Sequence, residues 1–293
     1  MLRVVLACSL VVLAILADTP AARACSTCTV GDPTLTVMGA EQPTDGRLRF
    51  SSSLRWRRER VEQGHALVER RVELGVAWSP IARVTLSVGV PVVSRRARFP
   101  NLAEERSLGF GDVDVRARVL LFRDRELAPR HLVAAVLGLE LPTAVRSAGP
   151  YDDDPEHQPG TRSWDPIVGL TYGAFVGDWS LNALAVLLAP ASEGVANVRG
   201  GPSLRGSLRA QWQPWRALGF ALGLDGRVDG REHVDGARDD ATGGAVVYGG
   251  AGVVLAPRED LVLDLRIAAP LWQRLRGGHV EGWVAFVGAT IDV

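Results

Sequence analysis

Lysine is absent from this chain: all 33 basic residues are arginine, and 33 acidic residues balance them to a formal charge of zero. A neutral chain has no global field to draw it to nucleic acid or to acidic lipid. Aromatic residues make up only 6% of the sequence, methionine occurs twice and cysteine three times. Past residue 17 no apolar run approaches the roughly 20 residues that a membrane-crossing helix needs, so any spanning of a bilayer must be done by strands. Neither G-x-S-x-G nor H-E-x-x-H occurs, which removes the two commonest hydrolase signatures. What is present, 47% hydrophobic and 23% charged residues, is an ordinary globular mixture.

The first 24 residues read as a signal peptide. Met1-Leu2-Arg3 supplies one positive charge, Val4 to Ala17 is apolar, and Ala22-Arg23-Ala24 is a small-x-small cleavage site. Its removal takes Cys8 and leaves Cys25 and Cys28 as a C-x-x-C at the head of a periplasmic segment, residues 25–46. Exported cysteines usually end as disulfides. A free dithiol, a lipidated Cys25 and a metal site are the other readings, although no further Cys or His stands close by to complete a tetrahedral shell.

Residues 47–293 are governed by period two. From Gly46 to Glu59, Leu48, Phe50, Leu54 and Trp56 fall on one side and Arg49, Ser51, Ser53, Arg55 and Arg57 on the other. Successive strand side chains point to opposite faces, so one face is apolar and the other carries guanidinium groups. Lipid outside and water inside explain both faces together. About twelve such segments follow one another, including Leu67–Trp78, Arg83–Val92, His131–Leu141, Trp179–Leu188 and Trp283–Val293. Ser94 to Leu108, Pro142 to Ser163, Ala189 to Pro202, Asp229 to Gly243 and Pro270 to Gly282 read as long connections between them, and the remaining connections are short. The expectation is an all-β, antiparallel transmembrane β-barrel of about 12 strands in the outer membrane. Trp56, Trp78, Trp164, Trp179, Trp212 and Trp283 near strand ends would form interfacial belts; a large soluble sandwich with core tryptophans is the competing architecture.

The same alternation nominates lumen-lining residues: Arg55, Arg57, Arg71, Arg83, Asp112, Asp114, Arg116, Arg118, Arg205, Arg209, Asp225, Arg227, Asp264 and Arg266. Two readings of this charged face stay open. Cross-strand ion pairs would fill and stiffen a narrow barrel, whereas an arginine ladder would guide anions along a wet passage. Asp152, Asp153, Asp154 and His157 are the one dense group of candidate metal ligands, with a solvated acidic loop as the plainer account. Asp235, Asp239 and Asp240 near His233 are the carboxylates on which a rim hydrolase would have to rely. The implied partners are the outer-membrane bilayer, a small-molecule solute and the assembly machinery of that membrane; no cofactor and no nucleic acid are implied.

Gly109-Phe110-Gly111-Asp112 opening a strand, Leu141-Pro142-Thr143 at a strand end, and Gly160-Thr161-Arg162-Ser163-Trp164-Asp165 opening the next resemble the bacterial outer-membrane transporter-like family named after the meta pathway of phenol degradation. Ala144 and Arg162 stand where that pattern calls for glycine. The resemblance implies passage of small, often hydrophobic or aromatic compounds across the outer membrane.

Overall fold

The computed structural model describes residues 46, 48–61, 65–98, 104–125, 129–145 and 158–293. Residues 1–45, which include the leader, Cys25 and Cys28, lie outside the described residues, as do Asp152, Asp153, Asp154 and His157. Among the described residues, period-two alternation yields β1 (Leu48–Val61), β2 (His65–Ile81), β3 (Val84–Arg98), β4 (Glu104–Phe110), β5 (Val113–Arg123), β6 (His131–Leu141), β7 (Asp165–Val176) and β8 (Trp179–Leu188). The chain continues through the short β9 (Val198–Arg199), then β10 (Ser203–Trp215), β11 (Leu218–Asp229), the short β12 (His233–Val234) and β13 (Ala237–Arg238), β14 (Gly244–Arg258), β15 (Leu261–Leu275) and β16 (His279–Asp292).

All long strands pair antiparallel with their sequence neighbours, and β1 pairs with β16 to close the sheet. β4 and β5 lie end to end along β3, so thirteen strands make a barrel of twelve staves. Closure leaves no strand edge in contact with lipid, where an unpaired backbone group has no water to bond. Leu48 and Val293 seal the seam by exchanging N–H···O bonds of 3.0 and 2.8 Å.

One rim carries the tight connections 82–83, 177–178, 216–217 and 259–260, together with 124–130. In the two-residue turn after β7, Gly177 takes φ +58°, as the first central position of a type II′ turn requires. The opposite rim carries the long connections 142–164, 189–202 and 230–243. Two stretches expected to be long connections are instead mostly strand: β3 runs on to Arg98 and pairs with β4, and β15 and β16 are joined by residues 276–278 alone. Their polar residues obscured the alternation because both faces leave the lipid there and water replaces hydrocarbon outside.

The outer surface is an apolar girdle of exposed side chains, among them Leu74, Leu86, Val115, Leu170, Leu208, Leu224, Leu265 and Ile267. Aromatic belts bound it. Trp78, Trp179, Trp212, Trp215 and Phe220 lie toward the short-turn rim, where Trp179 stacks on Trp212 at 6.0 Å. Trp56, Trp164, Trp272 and Trp283 lie toward the long-loop rim, with Trp56 and Trp283 meeting edge to face at 4.1 Å. Trp78 pairs with Leu48, eight residues along β1 from Trp56, which is about 26 Å along the strand and, at a tilt of about 40°, about 20 Å of height, most of an apolar band about 25 Å tall. Apolar side chains facing outward over this height place the barrel in a membrane, which rules out the soluble sandwich. Leu224→Arg in the middle of the girdle should cost about 2–4 kcal/mol, read as a lowered denaturant midpoint for the barrel refolded into vesicles.

Candidate functional site

The inner face gathers most of the charged residues nominated by alternation, and gathers them in pairs. Glu69 is the hub. Its carboxylate accepts from Arg55 Nη2 at 2.7 Å and Arg95 Nε at 3.0 Å, with Arg57 Nη2 at 3.8 Å. Arg57 also lies 3.6 Å from both Glu59 and Glu281, and Arg227 bonds both Glu281 and Asp229. His279 Nδ1 is 2.8 Å from Glu59. Each of Arg55, Arg57, Glu59, Glu69, Arg95, Arg227 and Glu281 is buried. Charges so desolvated are tolerable only when paired and hydrogen-bonded.

A second group lies further toward the short-turn rim. Asp264 bridges Arg209, at 2.9 Å, and Arg266, at 3.0 Å, and the Arg266 guanidinium sits 4.4 Å over the ring of Phe286. Arg209, Arg266 and Phe286, with Asp225, line a small open recess of about 40 Å³ whose floor contains Gly223, Gly250 and Gly252. Cβ atoms at Gly250 and Gly252 would come within 3 Å of neighbouring backbone and side-chain atoms of β15, so the flat floor depends on glycine. Arg71 pairs with Glu73, Arg116 pairs with Asp114 at 2.8 Å, and Arg205 Nε donates to Ser203 Oγ. Arg118 also points into the half-buried interior. Arg83 does not join them: β2 runs to Ile81, which leaves Arg83 exposed in the two-residue turn beyond the wall.

Alternation alone missed the apolar part of the inner face. Ile167, Leu184, Val186 and Leu188 form a buried cluster on β7 and β8, and Leu132, Ala134 and Val136 continue buried along β6. The signal was available in β8, where Leu184 to Leu188 is apolar at every position. A strand apolar on both faces has a second apolar surface to meet.

The three family-like motif elements, far apart in sequence, converge on one carboxylate. Asp112 fills the break between β4 and β5 and is 2% exposed. Its Oδ1 accepts the Ala144 N–H at 2.9 Å; its Oδ2 accepts the Arg162 N–H at 2.9 Å and the Thr161 hydroxyl at 3.2 Å. Gly109 and Gly111 leave room for Pro159, which a Cβ at either position would meet at 2.9 Å. Arg95 donates to the Gln158 carbonyl, so segment 158–163 is fastened inward against β3 and the β4–β5 break. Arg162 adopts φ +58°, a left-handed conformation that explains why the motif favours glycine there. Val195 and Ser192 of the next connection then bond Thr161 and Trp164, and β9, β12 and β13 tie the neighbouring connections into a small rim sheet.

Around His233, Asp235 accepts from Asn197, Asp239 accepts the Ala241 N–H, and Asp240 pairs with Arg231. These rim carboxylates are engaged in holding connections together. Among the described residues, no three or more His, Cys, Asp or Glu side chains are grouped to hold a metal.

The sequence profile of the family described as the MetA-pathway of phenol degradation matches residues 64–286. The chain belongs to that family. The matched span includes all three elements that meet at Asp112. No curated protein matches the chain. Among solved structures, an outer-membrane channel from Pseudomonas putida F1 is similar over 86% of this chain and 97% of its own, with a TM-score of 0.71 and 14% identity. The β domain of the Bordetella autotransporter BrkA covers 85% of this chain and 100% of its own, at 0.53 and 14%. The transport unit of the Escherichia coli autotransporter AIDA-I covers 88% and 94%, at 0.51 and 9%. Identities this low speak for the fold: a closed outer-membrane barrel of this size.

Two substitutions separate the roles of these clusters. Glu69→Gln should destabilise the barrel by about 3–5 kcal/mol, because it leaves buried guanidinium groups uncompensated; denaturant unfolding measures it. Asp112→Ala should leave the barrel folded on a heat-modifiability gel while making segment 158–163 cleavable at Arg162 by added trypsin. Asp112→Asn should not restore protection, since its NH₂ would face a backbone N–H.

Proposed function

We propose that this barrel is a passive outer-membrane channel for small amphipathic solutes, molecules with an apolar and preferably planar body and an anionic group. The observation that carries this reading is the division of the inner face. In the ring of twelve staves β8 and β1 lie six apart, as do β7 and β16, so the apolar cluster of Ile167, Leu184, Val186 and Leu188 faces, across the lumen, β1 with Arg55, Arg57 and Glu59 and β16 with Glu281, Val284 and Phe286. A ligand surface that is largely apolar with a few placed polar groups suits a small organic molecule better than a hydrated ion.

The recess beside Arg209 and Arg266 is the place where such a solute would pause. Its glycine floor accepts a flat ring, Phe286 offers an aromatic contact, and two guanidinium groups share only one bridging carboxylate, Asp264. An arginine fork matches a carboxylate in plane and in hydrogen-bond number. Most other inner charges are already mutually paired, which supports a narrow, stiff lumen over a continuous anion ladder. Segment 158–163, held by Asp112, narrows the long-loop end. β16, which closes the barrel and turns Trp283, Ala285, Val287, Ala289 and Ile291 outward, is the strand we assign to recognition by the assembly machinery.

Planar-bilayer recordings of the purified barrel should show small, discrete conductance steps with anion preference. In the double variant Arg209→Ala, Arg266→Ala that preference should fall or invert toward cations, since Asp225 and Asp264 remain. Absence of conductance from folded protein, or an unchanged reversal potential in the variant, would defeat the proposal.

A further inference from the structure

The outer face of the barrel is apolar almost everywhere, except in one sector. Where β1 to β4 rise past the upper aromatic belt, their outward positions carry Arg58, Arg60, Arg70, Arg96, Arg98 and Arg106. Alternation and register fix both their direction and their height. Arg57, Glu59, Leu67, Arg95 and Ala97 are buried inside, so the intervening residues point out. Arg70 pairs with Trp56; Arg96 pairs with Val68 and Arg106, and Val68 in turn with Arg58; Arg98 pairs with Ala66, which is opposite Arg60. The arginines therefore occupy three successive rungs, beginning level with the tryptophan belt and climbing about 13 Å along the strands.

Glu104 is the outward carboxylate among them. It holds Arg96 at 2.8 Å and lies 3.6 Å from Arg106. Arg58, Arg60, Arg70 and Arg98 have no ion-pair partner among the described residues. Among the described residues of this sector, six guanidinium groups against one carboxylate leave an excess of five positive charges, on a chain whose total is zero. Like charges directly opposite on a sheet destabilise it, and Arg96 is directly opposite Arg106. Just below, Leu108 and Phe110 are exposed at 71% and 54%, as a side chain buried in acyl chains would be. The other staves carry at this level Trp164, Trp272, Trp283 and Val228, with Arg274 the one outward arginine on their described strands.

We propose that this sector binds the phosphorylated headgroup of a glycolipid in the outer leaflet, a lipid A type molecule. The acyl chains would lie on Val72, Val92, Leu108 and Phe110, and the phosphates would sit among the arginines above. Three features select this occupant over a protein. The patch begins at the interfacial belt, continues an apolar surface that already faces lipid, and presents forked donors that match phosphate oxygens two at a time. Anionic headgroups would relieve the Arg96 and Arg106 repulsion, so the lipid would also stiffen β3 and β4, against which segment 158–163 is fastened.

The test uses the full chain, folded in detergent, with native mass spectrometry as the readout and bis-phosphorylated lipid A as the probe. The wild-type barrel should retain one or more lipid A molecules. The triple variant Arg58→Gln, Arg60→Gln, Arg98→Gln should bind about a hundredfold more weakly, since each surface arginine contributes about a factor of five toward an anionic lipid. Fully dephosphorylated lipid A should bind as weakly to wild type as lipid A does to the variant, and millimolar inorganic phosphate should not displace the lipid. Heat-modifiable mobility confirms that the variant is folded; if it is not, Arg70→Gln with Arg106→Gln takes its place. Equal retention by a folded variant, equal retention of the dephosphorylated lipid, or displacement by free phosphate would each overturn the proposal. Channel conductance should be the same in wild type and variant, which separates this surface from the passage.

Discussion

Everything in this molecule depends on one constraint: within hydrocarbon a backbone N–H or C=O has no water to bond, so every strand must find a neighbour on both sides. The chain meets it by joining β1 to β16 across Arg49 and Asp292, where a bidentate ion pair, 2.6 and 2.7 Å, reinforces the backbone seam. Once the sheet is closed, alternation has no freedom left. Every second residue must face lipid and every other must face the lumen, and a slip of one residue at any stave would exchange the two sets.

Closure creates a second problem, because twelve staves enclose a space too small to be a wide water channel and too large to be filled by aliphatic side chains alone. The solution differs around the ring. On β6 to β8 the interior holds the aliphatic cluster, with Thr171, Ser180 and Asn182 buried beside it. On the staves from β10 round to β3 pairs of arginine and carboxylate alternate with an apolar patch of Val246, Tyr248 and Val284 on β14 and β16, and Glu69, Glu281 and Asp264 each hold more than one guanidinium group. Lysine's compact ammonium would serve such shared bridging less well than a planar fork with five donors, so the absence of lysine, whatever its origin, suits this interior.

Much of this was legible in residue order. Phe50, Leu74, Leu86 and Leu208 announce the lipid face, and Arg55, Glu69, Arg209 and Asp264 the lumen face, because period two is a purely local property of extended backbone. Legibility failed where the environment outside the strand changes. Ser94 to Leu108 looked irregular because both faces become polar above the membrane, although β3 and β4 still pair there. Arg83 looked inward because alternation does not say where a strand stops. The inner apolar cluster was missed because the lumen face was read from its charged residues alone, and a strand apolar on both faces, as β8 is from Leu184 to Leu188, shows no alternation to read.

The sequence by itself determined the class of structure: strands with two unlike faces, alternating hairpins and the height of the girdle, all set by side-chain polarity over distances of a few residues. It also displayed the motif pieces at Gly109 to Asp112, Leu141 to Thr143 and Gly160 to Asp165. Only the tertiary structure decided that these three pieces meet on the Asp112 carboxylate, that Glu69 gathers arginines from β1 and β3, and that the aliphatic face of β8 looks across at β1. Those contacts join residues up to 50 positions apart for Asp112 and 26 for Glu69. Which of many carboxylates and guanidinium groups become partners is settled by stave order, register and closure, and none of these is a local property of the chain.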